Sequence, residues 1–107
     1  MLTFAQASEL ASHWVRIISD DSFAILSQET LKRPYGWVFF YQSRAYLASG
    51  NPIHQLAGNA PIIVDRCSSE IRVTGTGRPL QTYLDAYEAA MPPARLQMSL
   101  PNEPTVA

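Results

Sequence analysis

Among 107 residues there is one cysteine, Cys67, so the chain can form no internal disulfide, and a reducing compartment fits it. Two histidines, His13 and His54, complete a short supply of metal ligands. No CxxC or HExxH spacing groups them, so no metal and no cofactor is expected. Basic residues are scattered without a run and the formal net charge is -1. Nucleic acid binding demands a basic stripe, because phosphate neutralisation dominates that affinity, so no nucleic acid partner is expected. No stretch approaches the roughly 20 apolar residues of a spanning helix. The opening residues MLTFAQASELASHW lack the basic start and continuous apolar run of an export signal. These absences predict a cytoplasmic protein that does not engage a membrane.

What remains is the composition of one folded domain. Hydrophobic residues reach 47% and charged residues 16%, enough apolar surface for a core and too little charge for disorder. The densest apolar segment is Trp37-Val38-Phe39-Phe40-Tyr41, followed after a loop by Ile62-Ile63-Val64. Neither alternates with polar residues, as expected of strands covered on both faces.

The rest of the chain organises around those two runs. Thr3 and Gln6 stand at capping-box spacing before Ala7, Leu10, Ala11, Trp14, Val15 and Ile18, which recur at helical period. Residues 23–32 read as a strand leading to a turn at 33–36. Residues 37–42 form the apolar strand, and residues 43–48 continue it after a bend or supply its hairpin partner. Residues 50–59 form a loop, marked by Asn51-Pro52 and Gly58-Asn59. Residues 62–66 and 71–74 read as an antiparallel pair joined across residues 67–70. A second helix starts near Pro79, presents Leu80, Tyr83, Leu84, Tyr87 and Met91 on one face, and stops at Pro92-Pro93. The expected fold is α+β, an antiparallel sheet of about four to five strands flanked by an N-terminal and a C-terminal helix, with the helices packed on one face. Residues 1–91 would form that single domain, and residues 92–107 a Pro-rich, mobile tail.

Catalytic constellations are scarce. Cys67, His54 and Asp65 can be assembled on paper as nucleophile, base and orienter of a thiol hydrolase. Against this, Cys67 falls in a hairpin turn with no helix N-terminus to lower its pKa, and the inert reading is preferred. Gly75-Thr76-Gly77 precedes a helix and could cradle an anion, but it has no lysine, and a tight connection explains it better. No catalytic residue is assigned. Tyr35, Arg44 and Tyr46 flank the apolar strand and are of types enriched at protein interfaces. With both helices on one face, the other face of the sheet would need a partner or a second copy of the chain.

The segments GWVFFYQSRAYLASG, LAGNAPIIVDR and IRVTGTGRPLQTYLDAYE, in this order and spacing, resemble the Immunity protein 35 family of small bacterial proteins. The turn at Ser68-Ser69 departs from the family pattern, which places an acidic residue and Gly there. The resemblance implies an α+β protein that binds and neutralises a cognate toxin, with peptidase-like effectors among the toxins linked to the family. It implies binding and no chemistry of its own. On that view Tyr35, Arg44, Tyr46, His54, Asn59 and Arg66 are the candidate toxin-binding residues, because they lie at strand ends and in the central loop. The alternative is a chaperone-like accessory module covering apolar client surface. Either role is compatible with a homodimer.

Overall fold

The computed structural model describes residues 1–56 and 59–101. Part of the expected central loop, Ala57 and Gly58, and the end of the expected tail, residues 102–107, lie outside the described residues.

Helix α1 (Phe4–Ile18) begins where the sequence places it. Gln6 N–H donates to Thr3 Oγ1 at 3.1 Å, and Thr3 N–H donates to Gln6 Oε1 at 2.9 Å, so two otherwise unpaired donors are satisfied reciprocally. Its buried stripe is Ala7, Ala11 and Val15. Two alanines let the helix approach the sheet closely, and large aromatics on the strands fill the space.

Residues 23–32 do not form one strand. Strand β1 (Phe23–Ile25) is followed by a 3-10 turn (Ser27–Glu29) and then β2 (Leu31–Arg33). The partner run is interrupted at Phe40, giving β3 (Gly36–Phe39) and β4 (Tyr41–Ser43). The registers Ile25↔Tyr41 and Leu31↔Val38 set residues 26–30 opposite residues 39 and 40. The result is one long hairpin bent in the middle, where Leu26 N–H donates to Phe40 O at 2.8 Å. The polar stretch Ser27-Gln28-Glu29 has no alternate apolar residue to bury, so it loops out instead of pairing.

Residues 43–48 depart further from expectation. They are neither a strand continuation nor a hairpin partner but helix α2 (Arg44–Ser49). Ser43 Oγ accepts from Tyr46 N–H at 3.2 Å, and Gly50 closes the helix in a left-handed conformation. A 3-10 turn (Pro52–His54) packs on α2 before the chain returns to the sheet.

Strands β5 (Ile62–Asp65) and β6 (Ile71–Val73) form the expected antiparallel pair. The larger sheet has the order β2-β3-β5-β6, and β1 pairs with β4 in a second, two-stranded sheet. Gly36 explains how β3 and β5 fit so tightly. It sits at φ 150, and a Cβ there would meet Val64 O at 2.0 Å.

Helix α3 (Leu80–Ala89) follows β6, and a short helix α4 (Pro93–Leu96) follows it, so Pro93 starts a helical turn beyond the end of α3. The helices do not share a face of the sheet, as the sequence reading expected. Trp37, Phe39, Ile62 and Val64 pack against Ala7, Ala11 and Val15 of α1, whereas Tyr35, Val38 and Ile63 pack against Leu84 of α3. Alternate residues of each strand point to opposite faces, so a non-alternating apolar run demands cover on both. The two helices supply it. The bare sheet face that a client-covering module would use is therefore not present among the described residues.

Candidate functional site

Beneath α3 the sheet ends in a buried polar cluster centred on Asp65. The β5–β6 hairpin turn folds back over this residue: Cys67 N–H and Ser68 N–H donate to Oδ1 at 2.8 and 3.1 Å. Tyr87 of α3 lies with its hydroxyl 2.9 Å from Asp65 Oδ2 and 3.0 Å from Glu70 Oε1, so two carboxylates share one proton. From α4, Arg95 Nη2 reaches both Asp65 oxygens at 2.5 Å. Asp65's side chain is 1% exposed and Arg95's 26%. Around this hub the Tyr35 hydroxyl donates to Glu88 Oε2 at 2.9 Å, the Tyr35 and Tyr87 rings meet at 5.3 Å, and Arg72 lies over the Tyr87 ring at 5.4 Å.

Burial alone would push the Asp65 carboxyl up, but the donors from Arg95, Ser68, Cys67 and Tyr87 outweigh it and hold the group below its ordinary value. Hydrogen bonds from Arg72 and Tyr87 lower Glu70 likewise. Burial, then the neighbouring carboxylates, raises Tyr35 and Tyr87. Near neutral pH Asp65 and Glu70 are therefore charged, and Tyr35 and Tyr87 keep their protons. Arg95 Nε is buried without a hydrogen-bond partner among the described residues, and none of these four groups is poised to exchange a proton in that range.

The thiol-hydrolase arrangement is not assembled. Cys67 is exposed in the turn, His54 stands in the 3-10 turn after α2, and the Asp65 carboxylate is held by Arg95 rather than by a histidine. Among the described residues no three His, Cys, Asp or Glu side chains converge as metal ligands would. Gly75 has a packing role: a Cβ there would collide with the Tyr83 ring at 2.5 Å.

The six residues singled out in the sequence divide between two regions. Tyr35 is not a surface residue; it is 0% exposed, because its ring fills the core under α3 and Glu88 satisfies its hydroxyl. Arg66 is also buried, with Nη2 donating to Ser99 O at 2.6 Å. Asn59 is half-buried and ties the central loop to β4 through Nδ2 to Tyr41 O at 2.6 Å. Arg44, Tyr46 and His54 gather on α2 and the turn behind it, with Arg44 and His54 exposed and Tyr46 half-buried. Arg44 Nε donates to Asp21 O at 3.0 Å, and Asp21 also pairs with Arg16 at 3.2 Å, so the end of α1 and the start of α2 share one ion triad.

Sequence reasoning missed the apolar residues of this end. Ile17 is 79% exposed, Ile53 80%, and Leu47 and Ile18 are half exposed. The available signal was Ile17 falling off the buried stripe of α1, and Leu47 standing one helical turn from Arg44. Leu47 lies on α2 with Arg44, Ile53 in the following turn with His54, and Ile17 and Ile18 at the end of α1.

The family comparison matches the model of Immunity protein 35 over residues 5–90. The chain belongs to the Immunity protein 35 family. This member is also 35% identical over 88 residues to "Uncharacterized protein YrhB" of Escherichia coli (strain K12), covering 82% of this chain and 90% of that protein. No solved structure matches it. Membership in the Immunity protein 35 family carries an immunity role and points to binding rather than catalysis. The matched span contains Asp65, Tyr87 and α2, whereas Arg95 lies beyond its end. No helix among the described residues is long and apolar enough to cross a membrane.

Proposed function

We propose that this chain neutralises a cognate bacterial toxin in the cytoplasm by binding it and blocking its active site or surface, without chemistry of its own. The toxin is a protein, and the family resemblance favours a peptidase-like effector. The family match over residues 5–90 carries this reading. The binding surface in this proposal is the α2 end: Arg44, Tyr46 and His54, with Leu47, Ile53 and Ile17 as apolar anchors. Exposed apolar side chains supply affinity on burial, and the flanking cations supply orientation. Asn59 supports the loop behind that surface. Tyr35 and Arg66 act on folding in this reading, not on binding.

The test is co-expression with the toxin encoded beside this gene. The native chain is expected to restore growth and to elute with the toxin as one complex. Leu47→Asp combined with Ile53→Asp should weaken binding at least tenfold, while thermal stability changes little because both side chains already face solvent. Unchanged protection by the double variant would move the surface elsewhere. No rescue and no complex with the native chain would overturn the toxin reading itself.

A further inference from the structure

The two edges of the larger sheet are not alike. At the β2 edge, Lys32 Nζ reaches Pro101 O at 3.4 Å and Pro34 follows directly, two devices that discourage strand addition. Strand β6 forms the other edge, and among the described residues no strand pairs with its outer side. Its hydrogen-bond phase follows from two contacts: Asp65 N–H donates to Glu70 O at 2.9 Å, and Thr74 N–H donates to Pro61 O at 3.0 Å. Bonded pairs alternate along an antiparallel ladder, so residues 70, 72 and 74 turn their backbone groups toward β5. Ile71 and Val73 turn theirs outward, where they are free to receive another strand. Glu70 and Arg72 extend from the same face of β6, are each more than 40% exposed, and lie 2.8 Å apart.

Glu70 and Arg72 pair with each other within the chain, and Glu70 also accepts from Tyr87. An added antiparallel strand therefore fits this edge best when it keeps both charges paired, with an acid opposite Arg72 and a base opposite Glu70. Read in chain order, that requirement is acid, any residue, base. Glu70-Ile71-Arg72 is itself that pattern. We propose that β6 pairs with β6 of a second copy of this chain about a two-fold axis at Ile71, joining two four-stranded sheets into one. In this register Ile71 exchanges both backbone hydrogen bonds with Ile71 of the partner subunit. Glu70 faces Arg72 of the partner subunit, and Arg72 faces Glu70 of the partner subunit. Centring the pair on residue 72 would set two arginines opposite each other, and centring it on residue 73 would set Arg72 opposite Thr74. Only the register at Ile71 brings opposite charges together. The groove of about 360 Å³ between β6 and α3, lined by Arg72, Val73, Tyr83 and Ala86, gives the added strand's side chains room beside the helix.

The pairing uses no residue of the α2 surface and stands or falls independently of the toxin reading. It is weak by construction, resting on two main-chain bonds and two exposed ion pairs, so association is expected only at high protein concentration. Sedimentation across a concentration series tests it. The native chain should shift from monomer to dimer. Arg72→Glu sets acid against acid and Glu70→Arg sets base against base, so each variant alone should lose at least tenfold in self-affinity. Mixed in equal amounts, the two variants should recover a dimer containing one of each, which no general loss of folding can imitate. A native chain that stays monomeric at millimolar concentration overturns the proposal. So do single variants that dimerise as well as the native chain, or a mixture that does not associate. Loss of toxin binding by Arg72→Glu with a monomeric native chain would assign the edge to the toxin and overturn it as well.

Discussion

The two faces of the four-stranded sheet are held by different physics. Under α1 the contact is dominated by hydrocarbon and aromatic groups: Trp37, Phe39, Ile62 and Val64 against Ala7, Ala11 and Val15, with Phe4 stacked 6.1 Å from Phe39 and the Trp37 Nε1 buried without a partner among the described residues. Under α3 an apolar patch of Val38, Ile63 and Leu84 gives way at one end to Asp65, Tyr87, Arg95 and Glu88. The first face is stabilised by area removed from water, with little directional demand. The second depends on each polar group finding its partner, and a missing partner leaves a buried group that costs more than the bond contributed. One fold thus combines a face that tolerates changes of chemistry poorly in volume with a face that tolerates them poorly in charge.

The largest expected effect breaks the α1 face. Trp37→Ala removes a fully buried ring that two small helix residues cannot replace, and should cost about 4 kcal/mol in chemical denaturation. The loss should be nearly independent of pH, because no titrating group takes part. Asp65→Asn breaks the other face and should cost about 3 kcal/mol near neutral pH by leaving Arg95 without its carboxylate.

Acid distinguishes these two losses. The folded Asp65 carboxyl lies below its ordinary value of 3.8, so its contribution is present above about pH 4 and disappears as pH falls through the folded value. The gap between native chain and Asp65→Asn should therefore close on acidification, while the gap to Trp37→Ala stays open. Parallel pH profiles for both variants would show that the polar cluster contributes no more than packing.

The smallest effect has the opposite sign. Ser69 adopts φ 63 in the turn that carries the Asp65 cap. Ser69→Gly should relieve that conformation and raise stability by about 0.5–1 kcal/mol, read as a higher melting temperature. A loss instead would mean that flexibility in the unfolded chain outweighs the relieved strain.

Helix α1, the β5–β6 hairpin and the start of α3 were legible because each announces itself within a few residues. A capping box, a clean apolar period and a helix-initiating proline all act locally. Helix α2 was equally marked, by Ser43 at its cap and Gly50 at its end, with Ala, Leu and Arg between. It was misread because no Gly or Pro separates it from the apolar strand before it. The bend at residues 26–30 hides for another reason. Its cause is the pairing of β1 and β2 with different strands, and pairing is not a property of either segment alone.

Of the residues singled out in the sequence, Arg44, Tyr46 and His54 stand out by residue type, and they lie on α2 and the turn after it. Tyr35 looked the same by type and is core, because exposure depends on what packs above a residue rather than on its chemistry. Ile17, Leu47 and Ile53 were invisible for the mirror reason: an apolar residue reads as core until the fold leaves it in water.

The sequence by itself determined that residues 37–41 and 62–64 would be strands covered on both faces, because an unbroken apolar run cannot leave either side of a pleated strand in water. It determined α1 through its cap and period, and family membership through the order of its motifs. Only the tertiary structure decided that α1 and α3 take opposite faces, that Arg95 returns to Asp65 across thirty residues of chain, and that β6 is left as an edge. Those outcomes depend on distances between segments remote in sequence, which local propensity and period do not encode.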